Sequence, residues 1–63
     1  MTDYTVITKD GQEGSFETLK EAKAYAATVK DREPFIDQSK DYELTGVYWT
    51  YENGKLVKKG TGR

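Results

Sequence analysis

The sequence predicts a small α+β domain in which a four-stranded antiparallel sheet carries one helix on one face. Three observations predict this fold. The 63 residues suffice for a single domain. Two turn signals of the tight-hairpin type, Asp10-Gly11 and Asn53-Gly54, lie near the two ends. The segment between them has the start signal and apolar spacing of a helix. The expected order is β-β-α-β-β, and the alternative is β-α-β-β without the second strand.

The first hairpin is predicted around Asp10-Gly11. Residues 4–8, YTVIT, have the β-branched and aromatic composition of a strand. The returning strand, residues 12–16, contains Gly14, and an interior glycine often marks a bulge or an early end. For this reason the alternative fold omits that strand.

The register of the first hairpin follows from a two-residue loop at Asp10-Gly11. This loop would place Ile7 and Phe16 on the same face, toward the helix. Tyr4 and Val6 would then lie on the opposite face. We therefore expect Ile7 and Phe16, rather than Tyr4 and Val6, to contribute to the core.

The helix is predicted to begin after Thr18, because Thr18 and Glu21 form a capping box. At 100° per residue, one apolar stripe runs along the helix. It consists of Leu19, Ala22, Tyr25, Ala26 and Val29. The residues 30–32 and then Pro34 end the helix, since a proline keeps the preceding residue out of the helical region. A stripe rich in alanine lets the helix approach the sheet closely.

The segment after the helix carries no clear strand signal. Phe35-Ile36 is apolar but too short to classify, and residues 38–41, QSKD, have the composition of a loop. Phe35-Ile36 fits either the start of a strand or a plug at the mouth of the core, and residues 38–41 are expected to form a loop.

The C-terminal hairpin, residues 42–59, is predicted from Asn53-Gly54, which suits a type I′ turn. That turn pairs Glu52 with Lys55, Tyr51 with Leu56, Thr50 with Val57, Trp49 with Lys58, and Tyr48 with Lys59. The side with Trp49, Tyr51 and Leu56 is expected to face the helix. The opposite side, with Tyr48, Thr50 and Val57, is then left open.

Composition sets limits on the kind of protein. The chain has no Cys and no His, so neither a disulfide nor the usual soft metal ligands are present. We expect no metal and no cofactor. The amino terminus lacks a signal peptide and no apolar run is long enough for a membrane helix, which favours a cytoplasmic location. The expected single domain covers residues 1–63, with an ordered core at 3–59 and a flexible tail at 60–63.

Catalysis is not expected from this composition, because histidine and cysteine provide most general bases and soft nucleophiles. The remaining candidates are carboxylates around the loop after the helix: Glu33, Asp37, Asp41 and Glu43. Acidic residues on a loop are usually solvated, and 63 residues leave little room for a substrate cleft. We therefore predict a protein that is not an enzyme.

The functional prediction depends on the surplus of aromatic residues, which form 13% of the chain. One helix can cover only one face of the sheet, and tyrosines on the other face are typical of protein interfaces. We predict a small binding protein that contacts a protein partner, or a second copy of itself, through an open face. Its residues are Tyr42, Tyr48, Thr50, Val57 and Lys59. Cross-strand tyrosines that only stabilise the sheet are the other interpretation.

Nucleic-acid binding is the alternative function. Tyrosines of the open face would stack on bases, and basic residues would contact phosphates. These basic residues are Lys55, Lys58, Lys59 and Arg63. The charge counts against it, since residues 1–52 hold six basic and eleven acidic residues and the net charge is −1. A variant of the protein-partner hypothesis uses the acidic residues to occupy a basic groove.

No motif of a known family occurs in the chain. In its general style, a very small cysteine-free domain with two tight hairpins, it resembles small accessory proteins of phages and bacteria. That resemblance implies a regulator or inhibitor that binds another protein, and it assigns no residue.

Overall fold

The computed structural model describes residues 1–60 and confirms a small α+β fold with one helix and one antiparallel sheet. The sheet has five strands, in the order β2-β1-β3-β4-β5, so the expected number of four is wrong. The elements are β1 (Thr2–Thr8), β2 (Gly11–Phe16), α1 (Leu19–Thr28), a 3-10 turn (Lys30–Arg32), β3 (Phe35–Lys40), β4 (Glu43–Glu52) and β5 (Lys55–Lys59).

The additional strand is β3, which occupies the centre of the sheet between β1 and β4. Its only fully buried side chain is Ile36. Gln38 lies on the same side, where its Nε2 donates to the Tyr4 hydroxyl at 3.3 Å and its Oε1 accepts from the Thr45 hydroxyl at 2.7 Å. Because these bonds satisfy the amide, a polar residue is tolerated next to the core. The expected loop over residues 38–41 is therefore wrong for residues 38–40, which belong to β3, whereas Asp41 lies in the turn that follows.

The first hairpin forms with a register different from the expected one. Its turn residues are Lys9 and Asp10, and the positive φ of 119° falls on Gly11, which begins β2. An irregularity between Val6 and Ile7 then pairs Val6 with Gly14 and Tyr4 with Phe16. Val6 and Tyr4 therefore face the helix, and Ile7 faces away from it. The predicted faces of Tyr4, Val6 and Ile7 are therefore wrong, and the predicted face of Phe16 is confirmed.

The C-terminal hairpin has the predicted turn and register. Asn53 and Gly54 both adopt positive φ, at 54° and 79°, as a type I′ turn requires. All five predicted pairs are present, from Glu52 opposite Lys55 to Tyr48 opposite Lys59. Trp49 is 5% exposed and Tyr48 is 38% exposed, so the tryptophan side is buried.

The helix packs on the sheet through alanine. Thr18 caps it as predicted, since the Thr18 hydroxyl accepts from the Glu21 backbone N–H at 3.2 Å. That hydroxyl also donates to the Glu21 carboxylate at 3.0 Å, in place of the expected bond from the Thr18 backbone. Ala22 and Ala26 are fully buried. They form one core cluster with Val6, Ile36 and Trp49.

The chain beyond the helix turns sharply before β3. Glu33 has a left-handed φ of 54° and Pro34 follows it in a buried position. The helix contacts β1, β2 and β3, so it covers the N-terminal part of the sheet. Trp49 reaches the core from β4, and its ring meets the Tyr4 ring edge-on at 5.8 Å between centroids.

A flexible tail was expected over residues 60–63. Gly60 is in contact with the body of the sheet, and Thr61, Gly62 and Arg63 lie outside the described residues. Gly60 has a φ of 77°. A Cβ at this position would lie 1.9 Å from the carbonyl oxygen of Gly46. Gly46 belongs to a bulge of β4, between the pairs that join β3 to β4 at Asp37 and Ser39. The end of β5 is thus fitted against this bulge.

Replacing Gly60 with alanine is expected to destabilise the protein more than replacing Gly54. Both glycines have nearly the same φ, 77° and 79°, and only Gly60 has backbone in the way of a Cβ. Gly54→Ala should cost about 1 kcal/mol for the left-handed backbone. Gly60→Ala should cost about 1–3 kcal/mol more, because the chain must move. Urea unfolding measures both, and equal losses would show that no close contact forms at Gly60.

Candidate protein-contact face

The face of the sheet opposite α1, called the open face, has two rows of side chains at its centre. Each row crosses β1, β3, β4 and β5, because its members are direct partners in the strand pairing. The Asp37 row consists of Thr5, Asp37, Tyr48 and Lys59. The Phe35 row consists of Ile7, Phe35, Thr50 and Val57.

The Phe35 row makes the open face partly apolar. Ile7 and Phe35 are half-buried and are absent from the core cluster under the helix. Val57 is 36% exposed at the end of the row, and Tyr48 in the neighbouring row is 38% exposed. A face that displays aliphatic and aromatic side chains among threonines has the composition of the centre of a protein interface.

Asp37 lies within this face, directly between Thr5 and Tyr48 in the strand pairing. Burial raises the pKa of its carboxyl above the ordinary value of 3.8. Within residues 1–60, no cation and no side-chain donor lies within bonding distance of this carboxylate. A half-buried carboxylate without a donor is costly, and it is stabilised when a donor reaches it.

Lys59, at the other end of the Asp37 row, is already paired. Its Nζ lies 2.8 Å from Oε2 of Glu52, which also accepts from the Thr50 hydroxyl at 3.1 Å. The Lys59 hydrogen bond, followed by the one from Thr50, lowers the pKa of Glu52. The same contact raises the pKa of Lys59. The charge of Lys59 is therefore balanced by Glu52.

Tyr42 does not lie beside the other predicted contact residues. It occupies the turn between β3 and β4, and about 10 Å of β3 separates Lys40 beside that turn from Asp37 beside Tyr48. Asp41 and Tyr42 both have positive φ, at 52° and 68°. The Tyr42 side chain is 93% exposed.

The turn at Tyr42 is the hairpin tip, defined here as residues 41 and 42. The Asp41 backbone N–H donates to the Met1 carbonyl at 2.8 Å, and its carboxylate accepts from the Met1 ammonium at 2.6 Å. Leu44, 67% exposed, follows on β4. A shallow groove of about 290 Å³ beside the tip is lined by Lys40, Asp41, Glu43, Leu44 and Thr45. The tip is thus fixed at its base and exposes an aromatic ring.

The basic residues considered for nucleic-acid binding are divided between the two faces. Lys55 and Lys59 alternate with Val57 on the open face, next to Glu52. Lys58 pairs with Trp49 and so lies on the helix side. Arg63 lies outside the described residues. The three described lysines therefore do not form one basic strip, and no observation favours this function over a protein contact.

The carboxylates considered for catalysis are also separated. Asp37 is on the open face, Asp41 binds the amino terminus, and Glu43 begins β4. Across residues 1–60, no three Asp or Glu side chains are grouped closely enough to hold a metal ion. Over the same part of the chain, the longest helix has ten residues and none combines the length and apolar character needed to cross a bilayer.

Ile7, Phe35 and Asp37 are among the open-face residues that the sequence analysis did not identify. Ile7 was assigned to the wrong face, and the other two lie on the unpredicted strand β3. The alternation of Phe35, Ile36 and Asp37 is compatible with a strand, but two apolar residues are too few to show it. A search of protein-family models, curated proteins and solved structures found no similar protein.

Tyr42→Gly is expected to increase the free energy of unfolding by about 0.5–1 kcal/mol, because glycine adopts positive φ without a Cβ penalty. Tyr42→Ala is the control, since it removes the exposed ring but keeps the backbone strain. It should leave stability nearly unchanged. Urea unfolding compares the three proteins. A glycine variant no more stable than the alanine variant would contradict a strained turn.

Asp37→Asn is expected to stabilise the protein at neutral pH. Since the pKa of Asp37 is raised on folding, the folded state binds the proton more tightly, and this group lowers stability as pH rises from 3.8 through the folded pKa. The advantage of the variant should therefore disappear as pH falls below 3.8. Urea unfolding across this pH range at low protein concentration measures it.

Asp41→Asn is the control with the opposite sign. The ammonium of Met1 lowers the pKa of Asp41, first through their hydrogen bond and then through charge attraction. Its stabilising effect is present above 3.8 and is lost as pH falls through the lowered folded value. This variant should be slightly less stable than the wild type at neutral pH. If the stability of the two variants, relative to the wild type, changed with pH in the same direction, at least one of the pKa directions given for Asp37 and Asp41 would be contradicted.

Proposed function

We propose that this chain is a small non-enzymatic binding protein whose open face contacts another protein chain, either a different protein or a second copy. The observation that supports it most is the open face itself, where Tyr48 and Val57 are exposed beside Ile7 and Phe35. A chain with so few apolar residues gains nothing in its own core from side chains placed there. Removing them from water requires a partner surface.

The polar residues of the face support the same proposal. Thr50 and Lys59 surround the apolar positions, and Lys59 is held by Glu52. Tyr48 presents a ring and a hydroxyl, which provide contact area and a hydrogen bond with few rotatable bonds. This arrangement, an aromatic and aliphatic centre with a polar surround, is that of an interface core and rim.

Tyr42 forms a second point of contact in this proposal. Its backbone strain destabilises the folded chain, and its ring has almost no contact within the protein. Strain of this kind is a reason to expect a functional role for the residue that carries it. We infer that Tyr42 and Leu44 contact a partner that extends past the end of the sheet. Regulation or inhibition of the bound protein is the class of function proposed.

Tyr48→Ala tests the contact face. The tagged chain is used to capture proteins from an extract of its own cells, and the captured proteins are quantified for wild type and variant. Loss of a tyrosine that is an interface hot spot costs about 2 kcal/mol or more, so the affinity for the captured protein should fall by roughly thirtyfold or more. Wild type and variant must both unfold cooperatively for the comparison to hold.

Lys58→Ala is the matched control because Lys58 is exposed on the helix side of the same hairpin. It should capture the same proteins as the wild type. Tyr42→Ala separates the tip from the face and should reduce capture less than Tyr48→Ala. A set of captured proteins that is the same for wild type and Tyr48→Ala would remove the open face as the site.

A further inference from the structure

We propose that the occupant of the open face is a second copy of this chain, packed face to face about a two-fold axis that runs parallel to the strands midway between β3 and β4. This inference rests on the proposed function and names the partner. Its basis is that, under this symmetry, each row of the open face meets the same row of the second copy and is complementary to it. A two-fold interface requires that, if one residue contacts a second, the second contacts the first in return.

The Phe35 row satisfies this requirement with apolar contacts. The axis exchanges β1 with β5 and β3 with β4 of the second copy. Ile7 then lies opposite Val57 of the second copy, and Phe35 lies opposite its Thr50. The row has a β-branched side chain at both ends and its large ring beside a small threonine, so bulky groups do not collide at the axis.

The Asp37 row satisfies it with a polar contact. Under the same axis Tyr48 lies opposite Asp37 of the second copy, and two packed sheets are about 10 Å apart. A long tyrosine and a short aspartate together span that gap. The tyrosine hydroxyl would donate to the carboxylate that has no side-chain donor among residues 1–60. Bonds of this kind to a charged acceptor are stronger than neutral ones.

Charge and core size favour the same partner. The charged side chains of the open face on these four strands are Asp3, Asp37, Glu52, Lys55 and Lys59, which nearly balance, so two copies repel each other little. Among residues 1–60, the core under the helix contains five buried hydrophobic residues. Small domains with such cores commonly gain stability from association.

The area of contact predicts a weak dimer. Four strands and about five residues along each give a footprint of roughly 300 Å² per copy. The two copies together bury roughly 600 Å², which is below the range of stable specific interfaces, so we expect a weak and transient dimer with a Kd of about 10 µM to 1 mM. Sedimentation equilibrium across that concentration range should show a reversible dimer. A wild-type chain that stays monomeric up to about 1 mM would overturn the proposal.

Ile7→Lys and Val57→Glu test which residues meet. Each variant alone places a charge against an aliphatic side chain twice in the dimer, so each should dimerise at least tenfold more weakly than the wild type. In an equal mixture, the new ammonium of one chain meets the new carboxylate of the other, and one Ile7 to Val57 contact remains native. The mixture should therefore associate more tightly than either variant alone.

Tyr48→Phe is the companion variant, because it removes only the hydroxyl and leaves the ring. It should weaken the dimer about tenfold. The proposed arrangement would be overturned if the mixture of Ile7→Lys and Val57→Glu associates no more tightly than either variant alone. It would also be overturned if Tyr48→Phe leaves the Kd of the dimer unchanged. These results are separable from the proposed function: a monomeric wild type whose capture of a different protein depends on Tyr48 would refute the dimer and retain the contact face.

Discussion

The structure depends on the close packing of α1 against β1, β2 and β3. Ala22 and Ala26 bring the helix backbone near Val6 and Ile36, and Trp49 fills the remaining space from β4. Because the contact residues of the helix are small, the volume of the core comes from the sheet. A single ten-residue helix covers one side only. The exposure of the other side follows directly from this constraint and is the basis of the functional argument.

The open face combines features that have separate physical origins. Its apolar row results from strand alternation, which directs Ile7 and Phe35 away from the core while Val6 and Ile36 enter it. Its charge pattern results from an ion pair near β5 and from a carboxylate on β3 that has no such partner among residues 1–60. Lys59 is neutralised by Glu52, and Asp37 has no side-chain donor within residues 1–60. The face is therefore partly apolar and mostly balanced in charge, and it lacks a side-chain donor for the Asp37 carboxylate among residues 1–60.

The sequence was sufficient to predict features that local chemistry determines. Asn53-Gly54 specified both a turn and a register, and Thr18 specified the start of the helix. The missed strand β3 depends on partners on both sides, and its Gln38 is stabilised by bonds to Tyr4 and Thr45 that no local pattern shows. The turn before β4 was missed because a tyrosine rarely adopts positive φ. The strand pairing of the first hairpin differs from the prediction because Gly11 follows the turn and does not lie within it.

The irregular pairing of β1 with β2 has a consequence for how copies of this chain can associate. Side-by-side addition of strands, as in cross-β fibrils, needs a straight and regular row of free backbone groups. The outer strand β2 pairs irregularly with β1 opposite Val6 and Ile7, and β5 at the other border carries three lysines. Both borders are thus poor templates for fibril growth. The borders of the sheet therefore do not favour growth into open-ended polymers.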